Sequence, residues 1–331
     1  MAAATSTAEA TAELQQAARA SSYAAERLNP DFGFYLKNSQ LLVSRQSPWQ
    51  HIEVFENAQF GRVMRIDDCF MTSERDEFFY HEPMTHLPAI TQGGPRQALI
   101  IGGGDGGSAH NLLRYPSIER VVLAELDSEV IEMAREWLPA VHRGAFDDPR
   151  LQVRLGDGRA YLENCDERFD QIVLDLTDPF GPAVALYTRE FYRACQRALR
   201  PGGVVSLHIQ SPIHRGDVMS RIVASLRSVF GVVRPYLQYV PLYGTLWGMA
   251  MASDQVDPLA LPASEVDARL ARHGVQGLKL YSGAMHHALL TLPPFVQQLL
   301  AQPAEPIDDG DSLDHLALDP QASVALKLSA A

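Results

Sequence analysis

The run Gln97-Ala98-Leu99-Ile100-Ile101 is followed at once by Gly102-Gly103-Gly104-Asp105-Gly106-Gly107. That pairing restricts the chain more than any other stretch. An apolar β-type run that breaks into closely spaced glycines and then a helix-like segment is the first turn of a nucleotide-binding α/β sheet. Gly102, Gly104 and Gly107 satisfy G-x-G-x-x-G, and Glu125 follows about 20 residues on, where an acidic group meets a ribose diol. The spacing alone would suggest a dinucleotide. Asp105 argues against one, because a loop that cradles pyrophosphate does not aim a carboxylate at it. The nucleoside expected here carries positive charge, as a sulfonium or an aminoalkyl arm does.

Beyond Gln97 the pattern alternates regularly. Strands are predicted at 97–101, 120–125, 151–155, 170–175 and 203–209, and helices at 107–114, 127–137, 159–164, 188–198 and 216–229. Two further β-type runs, 233–240 and 246–252, close the series. Such alternation implies a mostly parallel sheet with helices on both faces, its ligands at the carboxyl ends of the strands. Upstream, His51 to Phe55 and Val63 to Ile66 alternate around Asn57 and Gly61, as a hairpin requires. The expected organisation is a flexible Ala-rich tail over 1–28, a small antiparallel β-domain over 29–73, a catalytic domain over 74–302 and a solvated tail over 303–331 containing Asp308-Asp309-Gly310-Asp311.

Net charge is −12 over 331 residues, which disfavours nucleic acid and anionic membranes and mildly favours a cationic substrate. Cys69, Cys165 and Cys195 are too scattered for a zinc site or a disulfide framework, so a reducing cytoplasm is the expected location. No apolar run approaches the roughly 18 residues of a membrane span, and the N-terminus lacks the pattern of a signal peptide.

Carboxylates recur at successive predicted strand ends: Asp105, Glu125, Asp157 and Asp175, with Asp178 close behind. One would be an ordinary helix cap. Four point to one acidic crevice, in which Glu125 meets the ribose and Asp157 with Gly158 the adenine amine. Asp175-Leu176-Thr177-Asp178-Pro179 is either an Asx-type turn or a negative cup for an amine. Tyr80 and His81 lie in a segment from Glu74 to Glu82 too rich in functional groups for a linker, whereas the adjacent His286-His287 pair is read as structural.

With these residues in place the chain resembles the polyamine aminopropyltransferases, the spermidine synthase family. It carries Gly-Gly-Gly-Asp-Gly-Gly at 102–107, Glu-Arg-Asp-Glu-Phe followed by Tyr-His-Glu from Glu74 to Glu82, and Asp-x-x-Asp-Pro-x-Gly-Pro from Asp175 to Pro182. Phe146 to Arg150 and the region Tyr281 to Phe295 match as well. The resemblance covers about residues 35–300. It implies a Rossmann-like, methyltransferase-type seven-stranded sheet, an N-terminal β-domain, and a homodimer or homotetramer. It implies decarboxylated S-adenosylmethionine as co-substrate, with no prosthetic group and no metal. By motif position Gln50 contacts the nucleoside or thioether and Pro182 lines the adenosine pocket, beside Gly102, Gly104, Glu125, Asp157 and Gly158. Asp105 holds the aminopropyl ammonium, and Tyr80, His81, Asp175 and Asp178 surround the acceptor amine, Asp175 as proton acceptor.

The implied reaction is a direct displacement in which a neutral amine attacks the carbon beside the sulfonium and methylthioadenosine leaves. An alkylamine of pKa near 10 is neutral about one time in a thousand at pH 7, a cost of about 4 kcal/mol, so a raised pKa at Asp175 would serve it. Departures from the family pattern cluster on the acceptor side. The run after the fifth strand reads His208-Ile209-Gln210-Ser211-Pro212, with neutral Gln210 where an acidic group is usual. Trp49 and Met71 stand at positions often polar or tyrosine, and the loop bearing Tyr243 is one residue short. Putrescine is the expected acceptor, with spermidine or cadaverine as alternatives. The rival readings are a methyltransferase using S-adenosylmethionine itself and a catalytically silent polyamine-binding protein.

Overall fold

The computed structural model describes residues 23–29 and 32–313. The chain begins with an antiparallel hairpin of β1 (Ala24–Asn29) and β2 (Phe32–Leu36). A four-stranded antiparallel meander follows: β3 (Gln40–Gln46), β4 (His51–Asn57), β5 (Gly61–Ile66) and β6 (Cys69–Ser73). The expected tail over 1–28 is therefore corrected at its end. Ala24 and Leu28 are buried core residues of β1, and the remaining tail residues, 1–22, lie outside the described residues.

The main sheet holds seven strands in the order β12-β13-β11-β10-β7-β8-β9. These are β7 (Gln97–Gly102), β8 (Arg120–Glu125), β9 (Leu151–Leu155), β10 (Phe169–Asp175), β11 (Leu199–Gln210), β12 (Val232–Val240) and β13 (Thr245–Ser253). The five from β7 to β11 pair in parallel, and β13 pairs antiparallel with both β11 and β12. Helices α1 (Phe78–Gln92), α2 (Gly107–Leu113), α3 (Ser128–Trp137), α4 (Pro139–His142), α5 (Gly158–Asn164), α6 (Arg189–Ala198) and α7 (Gly216–Arg227) cover the faces, with α8 (Ala263–Arg272), α9 (Gly283–Leu290) and α10 (Pro294–Ala301) at the end.

The two-residue period of a strand sorts the core into two layers. Ala98, Ile100, Val121 and Leu123 point to the side packed by Met84, Leu87 and Ile90 of α1, and Ile52 and Val54 of the meander join that layer. Leu99, Ile101, Val122 and Ala124 point to the side packed by α6 and α7. Burial on both faces is why these strands read as unbroken apolar runs.

Helix α1 is buried along nearly its whole length, and Glu82 on it is 3% exposed. Its two carboxylate oxygens accept the backbone N–H groups of Lys279, Leu280 and Tyr281 at 2.8, 2.8 and 2.9 Å. Glu82→Ala strands those donors, and a loss of about 3 kcal/mol in unfolding free energy is expected by urea denaturation at fixed protein concentration. Glu82→Gln, which still accepts, should lose less.

The chain's end also differs from expectation. Ile307 and Leu313 are fully buried, and Ile307 bonds through its backbone to Arg189 and to the Ser225 hydroxyl. Asp308, Asp309 and Asp311 each pair at 2.6 Å with an arginine on a different helix: Arg189 of α6, Arg159 of α5 and Arg221 of α7. Residues 303–313 form a strap across three helices instead of a solvated tail; residues 314–331 of that tail lie outside the described residues. Among the described residues no helix is long and apolar enough to cross a membrane.

Candidate active site

The site lies where β7 and β10 end side by side in the middle of the sheet. Asp175 pairs with Gly102 in the register of those strands, and its carbonyl accepts the Gly103 N–H at 2.9 Å. The approach is close enough to demand glycine. A Cβ on Gly102, whose φ is +77°, would sit 2.2 Å from that carbonyl oxygen. The glycine loop and the Asp175 turn are thereby stitched together.

On the nucleoside side, Glu125 ends β8 and is 8% exposed. Its carboxylate accepts the N–H of Gly104 at 3.1 Å and of Asp127 at 3.0 Å. Burial dominates its protonation, raising its pKa to about 7 against the pull of those N–H groups. Asp127 caps α3 and accepts from Ser47 at 2.6 Å and from Gln50 at 3.0 Å, which docks the loop between β3 and β4 beside Glu125. Gln50 is thereby held by Asp127, a residue the sequence reading passed over. Asp157 caps α5 through Oδ1, which accepts from Arg159 and Ala160, while Oδ2 makes no hydrogen bond among the described residues. The capping and the ligand-facing readings of this residue are compatible. Pro182, on a short 3-10 turn over Gly181–Leu186, is exposed.

Asp105 projects from the loop toward His81. Its Oδ1 accepts the Gly107 N–H at 2.9 Å, and its Oδ2 lies 3.3 Å from His81 Nε2. The other ring nitrogen, Nδ1, meets Glu77 at 3.0 Å, and Glu77 in turn is bridged to Arg143 at 2.7 Å. Burial alone would keep the imidazole neutral. Asp105 and Glu77 overcome it and raise its pKa well above the usual value, while the same contact, with the Gly107 N–H, holds Asp105 low against its own burial. His81 was expected to meet the acceptor amine. In the structure both its nitrogens are engaged, one by Asp105 and one by Glu77 four residues earlier, a pairing the spacing could have signalled.

Asp175 accepts from the Ser108 hydroxyl at 2.7 Å and lies against the Tyr80 hydroxyl. Burial, and next the charge of Asp105, push its pKa up despite the nearby imidazolium. Ligand atoms of His81, Asp105 and Asp175 all fall within 4.8 Å of one another.

Below Asp175 opens a cavity walled by aromatic rings. Tyr80 and Tyr243 stand edge to face at 6.1 Å, Tyr243 and Trp247 at 5.0 Å, and His208 stacks on Trp247 at 5.6 Å. Tyr243 is anchored by donating to the Met71 carbonyl at 2.7 Å. Asp178 faces this cavity and accepts from Gln210 at 2.6 Å. Gln210 holds a left-handed φ of +74° at a register shift between β11 and β13. That bulge turns its amide toward Asp178. The hairpin closes the far side with Glu26, 8% exposed, which accepts the Phe70 N–H at 2.7 Å. The expectation had placed Glu26 in a flexible tail. His286, fully buried between Tyr281 and the Pro258 carbonyl, is structural.

A seven-stranded sheet with a buried carboxylate at the end of β8 and a cluster of acids opening onto an aromatic cavity suits cationic ligands bound at its strand ends. Residues 77–259 match the spermine/spermidine synthase domain, and residues 23–74 match the spermidine synthase tetramerisation domain. The chain belongs to the spermine/spermidine synthase family and is an aminopropyltransferase. It is 71% identical to a polyamine aminopropyltransferase of Nitrosomonas europaea over 309 residues, 93% of this chain and 95% of that one. A polyamine aminopropyltransferase of Moorella thermoacetica is 40% identical over 85% of this chain and 96% of its own. The fold superposes with a TM-score of 0.79 on a spermidine synthase crystallised with the transition-state analogue AdoDATO, at 35% identity over 84% of this chain and 94% of that one. The Thermotoga maritima spermidine synthase gives 0.78 at the same identity and coverage.

Proposed function

We propose that the enzyme moves the aminopropyl group of decarboxylated S-adenosylmethionine to putrescine, forming spermidine and 5'-methylthioadenosine. The observation that carries this reading is the pairing of Asp105 and Asp175 across one His81-centred cluster, with Asp178 further along the aromatic cavity. Asp105 meets the ammonium of the aminopropyl arm and Glu125 the ribose. Asp157, Gly158 and Pro182 flank the adenine. The reacting nitrogen sits between Tyr80 and Asp175, and the far ammonium rests on Asp178, its methylenes lying along Tyr243 and Trp247.

The amine lone pair attacks the carbon beside the sulfonium; the C–N bond forms as the C–S bond breaks, and sulfur keeps the electron pair. One proton leaves the amine, and Asp175, whose raised pKa suits the task, accepts it. Alignment supplies most of the remaining acceleration. The stitched Gly103–Asp175 backbone holds donor and acceptor sides in register.

A homo-oligomer built through the β-domain accords with the apolar groups exposed there, Phe32, Tyr35, Leu41 and Trp49. The activity is tested by mass spectrometry after incubating the protein with decarboxylated S-adenosylmethionine and a panel of di- and triamines. Methylthioadenosine together with spermidine from putrescine is the expected result. Product from another amine only would move the acceptor assignment, and methylthioadenosine binding without turnover would indicate a silent binding protein.

A further inference from the structure

The acceptor cavity does not stop at Asp178. A second chamber opens beyond it, sharing Glu26, Asp178 and Trp247 with the first and lined further by Gln210, His214 and Arg215. Arg215, the residue before α7, is 8% exposed. Its Nε and Nη2 atoms are buried without a hydrogen-bond partner, and no carboxylate lies within ion-pair distance of it among the described residues. Those two nitrogens form the side-on edge of the guanidinium, the edge that ordinarily grips a carboxylate. A buried guanidinium with that edge empty is costly to keep.

The acids in its lining, Asp178 and Glu26, offset the Arg215 charge only in part. Gln210 is neutral and directs its amide at Asp178. Burial raises the Glu26 carboxyl well above the usual range, which weakens its negative charge in the empty cavity. Burial keeps His214 low and therefore neutral.

We propose that Arg215 is a charge stop: it sets the reach of the acceptor cavity, admitting a diamine whose far ammonium ends at Asp178 and turning away an amine with a further ammonium beyond it. A triamine bound with its primary amine at Asp175 would carry its third nitrogen one alkyl segment past Asp178, into the chamber that Arg215 lines. Two like charges in a partly dry chamber repel strongly enough to decide between substrates. The inference rests on the placement of the amine proposed above and adds to it the residue that measures amine length.

The test compares kcat/KM for putrescine and spermidine in the wild-type enzyme and in Arg215→Met and Arg215→Lys. The wild type should prefer putrescine by about 100-fold or more, and Arg215→Met should raise the spermidine-to-putrescine ratio by about tenfold or more, the scale of one unscreened like-charge contact. Arg215→Lys keeps the charge and should keep the preference. Methylthioadenosine binding, which uses only the nucleoside half, reports that each variant is folded; Arg215→Gln replaces the Met variant if that binding is lost. An unchanged ratio in the neutral variant overturns the charge stop. So does relaxed preference in the Lys variant, which would make shape the selector. Failure of the wild type to use either amine would instead overturn the function proposed above.

Discussion

Asp175→Asn should lower kcat for aminopropyl transfer by about 10³-fold while leaving the KM for decarboxylated S-adenosylmethionine within about threefold, the signature of a lost proton acceptor. The size follows from the difficulty of the step. The substrate amine arrives protonated, and the barrier includes the cost of removing that proton. Burial and the charge of Asp105 raise the Asp175 pKa, so its carboxyl protonates at a higher pH than an ordinary aspartate. Because the ionised form is the active one, kcat should fall as pH drops through that raised value, with the acid limb above the usual carboxylate range. The Asn variant should lose the limb along with the rate. A loss of only a few-fold with an unchanged pH–kcat profile would leave Asp175 as an orienting group.

Asp105→Asn should act on the other substrate, raising the KM for decarboxylated S-adenosylmethionine by about 50-fold, the scale of one charge-assisted hydrogen bond between buried groups. Its effect on discrimination is more diagnostic. The carboxylate that decarboxylation removes would stand near Asp105 and be repelled by it, so the variant should narrow the preference over S-adenosylmethionine. A spectroscopic reading separates the local role from general damage. Asp105 is the largest of the groups that raise the His81 pKa. Without its charge the buried imidazole should deprotonate at lower pH, a downward shift visible in its proton NMR titration. An unshifted His81 together with an unchanged KM would show that the two residues do not communicate.

The sheet was legible because its physics is local. Strands buried on both faces must be continuously apolar, and Leu99 to Ile101, Val121 to Ala124 and Ile172 to Leu174 are. Acids at strand ends stand out against such runs, which is how Asp105, Glu125 and Asp175 were found together. What stayed hidden depends on distance across the fold. Glu26 lies in a weakly patterned stretch, and only folding brings it to Phe70, 44 positions away. Asp127 looks like any helix cap until Ser47 and Gln50 arrive from the β-domain. The acids at 308–311 read as solvated because their arginines are up to 150 positions upstream. The partners of His81 stayed hidden for a related reason, since a ring with two free nitrogens and one with both engaged have the same sequence.

The stitch between Gly103 and Asp175 gathers Asp105, Glu125 and Asp175 at the ends of β7, β8 and β10, with Tyr80 of α1 beside them, whereas Glu26, Gln210 and Trp247 of the more distant walls come from the first hairpin, β11 and β13. A lineage of such enzymes can therefore change its diet without relearning its trade. On the proposed placement of the amine, substitutions at Glu26, Gln210 or Arg215 should alter which amine fits, and none of these residues lies on β7, β8 or β10.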